Sequence, residues 1–254
     1  MTLLNRPSAL LAVLAFFYAG ANPASASTIT FFNQSAFAAS TGALSTATFD
    51  NLSPCNGCVV GNEYAGLGLT ITQLAGIPMN IVQNVASPYG ANFVTLGNIN
   101  SGPNALSSSV YTTGADQSED SFDFIFTSPV GAAGLFVGNL GNNSNTLTTH
   151  VFFLDAQGGT IASALLDRTN PAILAGAFVS TVPWDVRLFY GITSTTPIKR
   201  IRVINGPNDG DGILIDDVQF GSASTTAVPE PESLMLMGLG LSVVAVRLRR
   251  LRVS

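Results

Sequence analysis

Charge is scarce in this chain. Lys, Arg, Asp and Glu make up only 10% of the 254 residues, against roughly 25% in an ordinary soluble domain. Histidine occurs once, at His150, tryptophan once, at Trp184, and cysteine twice, at Cys55 and Cys58. A single histidine excludes a metal centre built from several imidazoles, and any Ser-His-Asp triad would have to use it. His150 lies in Leu147-Thr-Thr-His-Val-Phe-Phe-Leu, no Gly-x-Ser-x-Gly elbow accompanies it, and we read it as an ordinary strand residue. Basic side chains are few between Ser27 and Ala227. Arg168, Arg187, Lys199, Arg200 and Arg202 face thirteen acidic residues there, a net charge of −8, which argues against a nucleic-acid partner.

Long apolar runs are also few, and both lie at the ends. Arg6 precedes an almost wholly apolar run from Leu10 to Ala19, and Ala24-Ser25-Ala26 then offers the small residues that a signal peptidase reads. Residues 1–26 are therefore expected to be a signal peptide, cleaved after Ala26, with Ser27 opening the exported domain. At the other end Ser233–Val246 carries no charge. As a helix it would cover roughly 20 Å of a hydrocarbon core about 30 Å thick. Arg247, Arg249, Arg250 and Arg252 follow it, and such clusters stay on the cytoplasmic side.

The succession Pro229-Glu230-Pro231, a glycine-containing apolar segment and an arginine cluster resembles the PEP-CTERM sorting signal of exopolysaccharide-producing Gram-negative bacteria. The resemblance covers about a tenth of the chain, residues 228–254. It implies processing by an exosortase near the triplet, after transient anchoring in the inner membrane by the short helix, and residence at the cell surface or in the polysaccharide matrix. A permanent single-pass anchor is the alternative, since snorkelling arginines can rescue a short span.

Residues 27–227 are long enough for one domain with a sizeable core. Helix signals are almost absent there, apart from Ser35–Gly42, where Ser35 could cap a turn or two. Strand signals appear at twelve places, among them Thr46–Leu52, Ser121–Phe126, Gly134–Val137, Val186–Tyr190, Ile198–Ile204 and Ile213–Phe220. Ala156-Gln-Gly-Gly reads as a hairpin connection. So many short strands without helical crossovers predict an all-β fold, an antiparallel two-sheet sandwich of jelly-roll type.

Within that frame Cys55-Asn-Gly-Cys58 is expected to close a local disulfide in an oxidising compartment. Lys199-Arg200-Ile-Arg202 reads as a solvated strand edge. Asp216 and Asp217, adjacent in the last strand, should point to opposite faces, so at least one needs a partner near the core. Trp184, after Pro183, is the best candidate for stacking on a sugar ring.

Thr28-Ile-Thr-Phe-Phe, Phe49-Asp-Asn-Leu, Glu63-Tyr-Ala-Gly-Leu and Ile213-Leu-Ile-Asp-Asp-Val-Gln-Phe-Gly resemble segments of the β-sandwich ectodomains that precede such sorting tails. That resemblance implies a structural calcium with Asp50, Glu63, Asp216 and Asp217 as oxygen ligands; hydrogen bonding of the aspartate pair to neighbouring loop amides is the alternative. The expected role is structural or adhesive, in association with exopolysaccharide and without catalysis. A carbohydrate-binding module is the second reading, and a secreted glycan hydrolase the remote third.

Overall fold

The computed structural model describes residues 27–54, 61–73, 79–83, 100–107, 121–138, 149–166, 171–175, 178–179, 186–204 and 213–224. In chain order these form β1 (Thr28–Phe31), α1 (Gln34–Ala39), β2 (Thr41–Ala47), a 3-10 turn (Ala65–Leu67), β3 (Leu69–Gln73), β4 (Asn80–Gln83) and β5 (Asn104–Ser107). There follow β6 (Ser121–Gly138), β7 (His150–Leu154), β8 (Thr160–Leu165), α2 (Pro171–Leu174), β9 (Phe178–Val179), β10 (Val186–Ile204) and β11 (Leu214–Ala223). The expectation of a nearly all-β, antiparallel fold holds: every strand pairing is antiparallel. Among the described residues no helix is long and apolar enough to cross a membrane. The signal segment and Ser233–Val246 lie outside them.

Two long strands organise the sheet. β6 and β10 pair with each other along most of their length, Leu188 opposite Val137 at one end and Ile204 opposite Ser121 at the other. One half of the pair is flanked by β3 on β6 and by β7 and then β8 on β10. The other half is flanked by β1 on β10 and by β11 on β6, with β2, β5 and β4 beyond. From sequence each long strand reads as two short ones, because Thr127-Ser-Pro129 and Thr195-Thr-Pro197 interrupt the pattern. Proline cannot donate to a ladder and is tolerated in a sheet at bulges. Register shifts in β10 fall between Thr193 and Ile198, the stretch that contains Pro197, and between Ile198 and Arg200 just after it. The chain bends there and continues.

The extra residues at these bends reset which parity points inward. In β6 the buried core positions are Phe122, Phe124 and Phe126 before the bend, then Ala133, Leu135 and Val137 after it. In β10 they are Leu188, Tyr190, Ile192 and Ile198, then Ile201 and Val203. A one-residue slip sends every following side chain to the other face, and a bulge inserts such a slip at a kink. Both halves thus present their apolar faces to one core, which β11 completes with Ile215, Val218 and Phe220. The result is a two-layered, sandwich-like packing made from strands shared by both layers.

A smaller cluster covers the outer side of the second half. Phe136, Phe189 and Ala132 project away from the main core and are roofed by Phe37 of α1. Asn33 caps that helix, its side-chain oxygen accepting from Ala36 N at 3.0 Å. The cap is two residues earlier than expected, because Ser35 lies inside the first turn. Phe189 is seated over Gly134 and Gly191. A Cβ on Gly191 would lie 2.8 Å from two ring carbons of Phe189 and 3.1 Å from Phe37. Gly191→Ala should therefore cost about 2 kcal/mol, as overpacking does, and lower the melting temperature by roughly 4–8 °C. Gly66→Ala, where a Cβ meets nothing within 4 Å, serves as the neutral control in the same thermal melts.

Candidate functional site

The adjacent carboxylates of β11 do not alternate. A register shift falls between Asp216 and Gln219, and Asp217 takes a left-handed φ of 45°, a conformation most side chains avoid. The bulge turns both carboxylates onto the same segment. Asn100 N and Ser101 N each donate to Asp216 Oδ2 at 2.8 Å, and Asp217 N donates to Asp216 Oδ1 at 2.8 Å. Ser101 Oγ donates to Asp217 Oδ1 at 2.6 Å, and Asn100 Nδ2 to Asp217 Oδ2. The expectation of opposite faces is corrected by this one-residue insertion, and the two groups act together.

Asp50 holds the same segment from the far side of Gly102. Its Oδ1 accepts from Asn104 N at 3.1 Å. Gly102 has φ 54°, and a Cβ there would overlap the Asp50 carboxylate at 2.1 Å, so only glycine fits. Asn104 Nδ2 donates to Leu52 O at 2.8 Å. Three carboxylates thus clamp residues 100–104 by hydrogen bonds, the alternative raised from sequence for the aspartate pair. Burial pushes Asp216 up to about 7, helped by the neighbouring Asp217 charge and opposed by the backbone N–H donors of Ser101, Asp217 and Asn100.

Glu63 stands on a groove that Asp50 shares. It is exposed and lines a groove of about 670 Å³ with Thr46, Thr48, Asp50, Asn51, Tyr64, Gly66 and Leu67. Tyr64 is buried, packs edge-on against Phe49 at 5.4 Å, and donates its hydroxyl to Asn51 Oδ1 at 2.7 Å. Burial pushes the Tyr64 phenol up to about 12, so it stays a neutral donor throughout the ordinary pH range. Among the described residues no group of three or more His, Cys, Asp or Glu side chains is placed to hold a metal ion.

The cluster that sequence reasoning missed is on the outer face of the first half-sheet. Asp123 is 1% exposed. Arg202 grips it from Nε at 2.7 Å and Nη2 at 2.8 Å, and Arg200 Nη1 reaches it at 3.0 Å. The signal was Phe122-Asp-Phe124, a charge at the outward position between two core phenylalanines. The expected solvated edge is also corrected: this part of β10 is an interior strand with β6 on one side and β7 on the other. Lys199 sits at the bend and donates to the carbonyls of Phe126 and Thr127 at 2.6 and 3.0 Å.

His150 is an exposed strand residue with its ring 5.7 Å from that of Phe152. Ser27 is tied into the sheet, its N donating to Thr195 Oγ1 at 2.9 Å. Cys55, Cys58, Trp184, Ala24, Ala26, Pro229, Glu230, Pro231 and the arginines from Arg247 to Arg252 lie outside the described residues.

Residues 227–250 match the PEP-CTERM protein-sorting motif. No curated protein matches the chain. Among solved structures, the K1 cleaved adhesin domain of Lys-gingipain from Porphyromonas gingivalis W83 is similar over 72% of this chain and all of that domain, at 11% identity and TM-score 0.45. The K2 cleaved adhesin domain of Lys-gingipain is similar over 70% of this chain and 99% of that one, at 15% identity and TM-score 0.44.

Proposed function

We propose, for a chain that carries the PEP-CTERM sorting motif and is therefore an exported protein, a structural or adhesive role at the cell surface or in the exopolysaccharide matrix. The motif at 227–250 is the observation that carries the reading. It is the signal that exosortases process. Signal peptidase would release Ser27, Ser233–Val246 would hold the chain briefly in the inner membrane with Arg247 to Arg252 on the cytoplasmic side, and cleavage near Pro229–Pro231 would free the β domain. Catalysis is no part of the proposal. The sandwich, which we take to be of jelly-roll type, would serve as the working module, and its sparse charge suits a neutral, hydrated matrix.

The test is intact mass and fractionation in a host that makes both exopolysaccharide and exosortase. Wild type should lose the mass beyond roughly Pro231 and leave the membrane. The variant with Pro229, Glu230 and Pro231 replaced by alanine should stay full-length and membrane-bound. Full-length wild type in the membrane fraction would sink the processing claim. A second reading, carbohydrate binding by the same domain, is favoured by the groove beside β2, where Thr48, Asn51 and Glu63 stand next to the exposed Leu67.

A further inference from the structure

The groove at Asp50, Asn51, Glu63 and Leu67 has the chemistry of a sugar subsite. We infer that it binds the hydroxyl-rich chain of a neutral polysaccharide, an inference that rests on the carbohydrate-binding reading and gives it an address other than Trp184.

A sugar ring offers hydroxyls around its rim and C–H groups on its faces. It is recognised where fixed polar groups stand beside a small apolar ledge. The groove supplies both, and its volume of about 670 Å³ falls within the range of about 300–1,000 Å³ usual for small-molecule sites. Glu63 brings carboxylate oxygens that accept from sugar hydroxyls, and Thr48 brings a hydroxyl of its own.

Asn51 is oriented by a neighbour. Its side-chain amide is held by the buried Tyr64 hydroxyl, which donates to Oδ1 at 2.7 Å and leaves the NH₂ as a donor. Tyr64 is thus a positioning residue held by the core, with its ring against Phe49. The apolar ledge is Leu67, one of three large apolar side chains left well exposed among the described residues, at 46%. Beside it Gly66 has open space where a Cβ would stand, so a ring can approach the backbone closely.

Charge sets the ligand class. The lining holds two acidic side chains and no basic one, within a domain that carries a net −8. Uronates and sulfated sugars would be repelled at the groove and at a distance. Neutral polysaccharides would not.

The experiment is affinity electrophoresis of protein isolated from its producing host, through gels containing dextran, barley β-glucan, galactomannan or, as the anionic comparison, alginate. Wild type should be retarded by at least one neutral polymer and not by alginate. Glu63→Ala and Leu67→Asp, both at exposed positions and checked for an unchanged melting temperature, should each weaken that retardation at least fivefold. Tyr64→Phe should weaken it while leaving the groove in place, and Trp184→Ala should leave it intact. Retardation of both groove variants equal to wild type would overturn the groove and leave carbohydrate binding standing. No retardation by any neutral polymer would overturn the carbohydrate reading and the groove with it. Equal retardation by alginate would overturn the assignment to neutral sugars.

Discussion

Asp123→Ala should lower the melting temperature by roughly 6–12 °C, from a loss of about 3 kcal/mol. The carboxylate is 1% exposed and is the hub of two ion pairs, to Arg200 at 3.0 Å and Arg202 at 2.7 Å. Its removal leaves two guanidiniums on the sheet without their counter-charge. Breaking a buried pair by deleting one partner costs about 3–5 kcal/mol. The low end applies because the arginine side chains are 27% and 32% exposed, so water relieves part of the loss. Arg200 has less relief, since its Nε is already buried without a hydrogen-bond partner. Asp123→Ala combined with Arg202→Leu should recover part of the stability, because the second change removes a stranded charge. A melting temperature within about 2 °C of wild type for Asp123→Ala would show that the triad contributes no more than a surface pair.

The second large effect is a dependence of stability on pH that runs opposite to ordinary acid denaturation. Asp216 has its pKa raised from 3.8 to about 7 in the folded protein by burial and by Asp217. Between those two values the folded state holds a proton that the unfolded chain has released, so raising the pH favours unfolding. The contribution is fully present below about pH 4 and is lost as pH rises through about 7. A shift of this size corresponds to a few kcal/mol, so the melting temperature should be roughly 5–10 °C higher at pH 5 than at pH 8. Asp216→Asn keeps an acceptor for Asn100 and Ser101 but cannot titrate. It should flatten that difference. A wild-type profile already flat between pH 5 and 8, or one unchanged in Asp216→Asn, would place the titration elsewhere. The same melts address calcium. With the aspartate oxygens accepting from Asn100, Ser101 and Asn104, added calcium or EDTA should move the midpoint by less than about 1 °C; a rise of several degrees with calcium would restore the ion.

Much of the architecture was legible because strand alternation is a local property. The Phe122-Asp-Phe124-Ile-Phe126 run and the Ile201–Val203 pattern each show which face is apolar without reference to any partner. The breaks after Phe126 and before Ile198 were legible as well, as ends of the apolar patterns. That the chain continues through both was not, because a gap in alternation looks the same whether a strand ends or bends. β4 and β5 were missed for a related reason. Asn104-Ala-Leu-Ser107 is buried at every position, so it has no alternation to read.

The site divides along the same line. By itself the sequence determined that the protein is exported: the Pro229-Glu230-Pro231 triplet, the apolar stretch and the terminal arginines form a linear signal, read by composition and order with no fold required. It also determined that the exported part is β-rich and acidic. Only tertiary structure decided what the polar residues do. One inserted residue in β11 turned Asp216 and Asp217 to the same side, cross-strand register set Arg200 and Arg202 beside Asp123, and the return of the chain after β2 set Glu63 and Leu67 across from Asp50 and Asn51. Each of those meetings joins residues distant along the chain or reverses a local rule through a bulge. Periodicity reports the face of a strand, whereas register, bends and neighbours are chosen by the packing of the whole core.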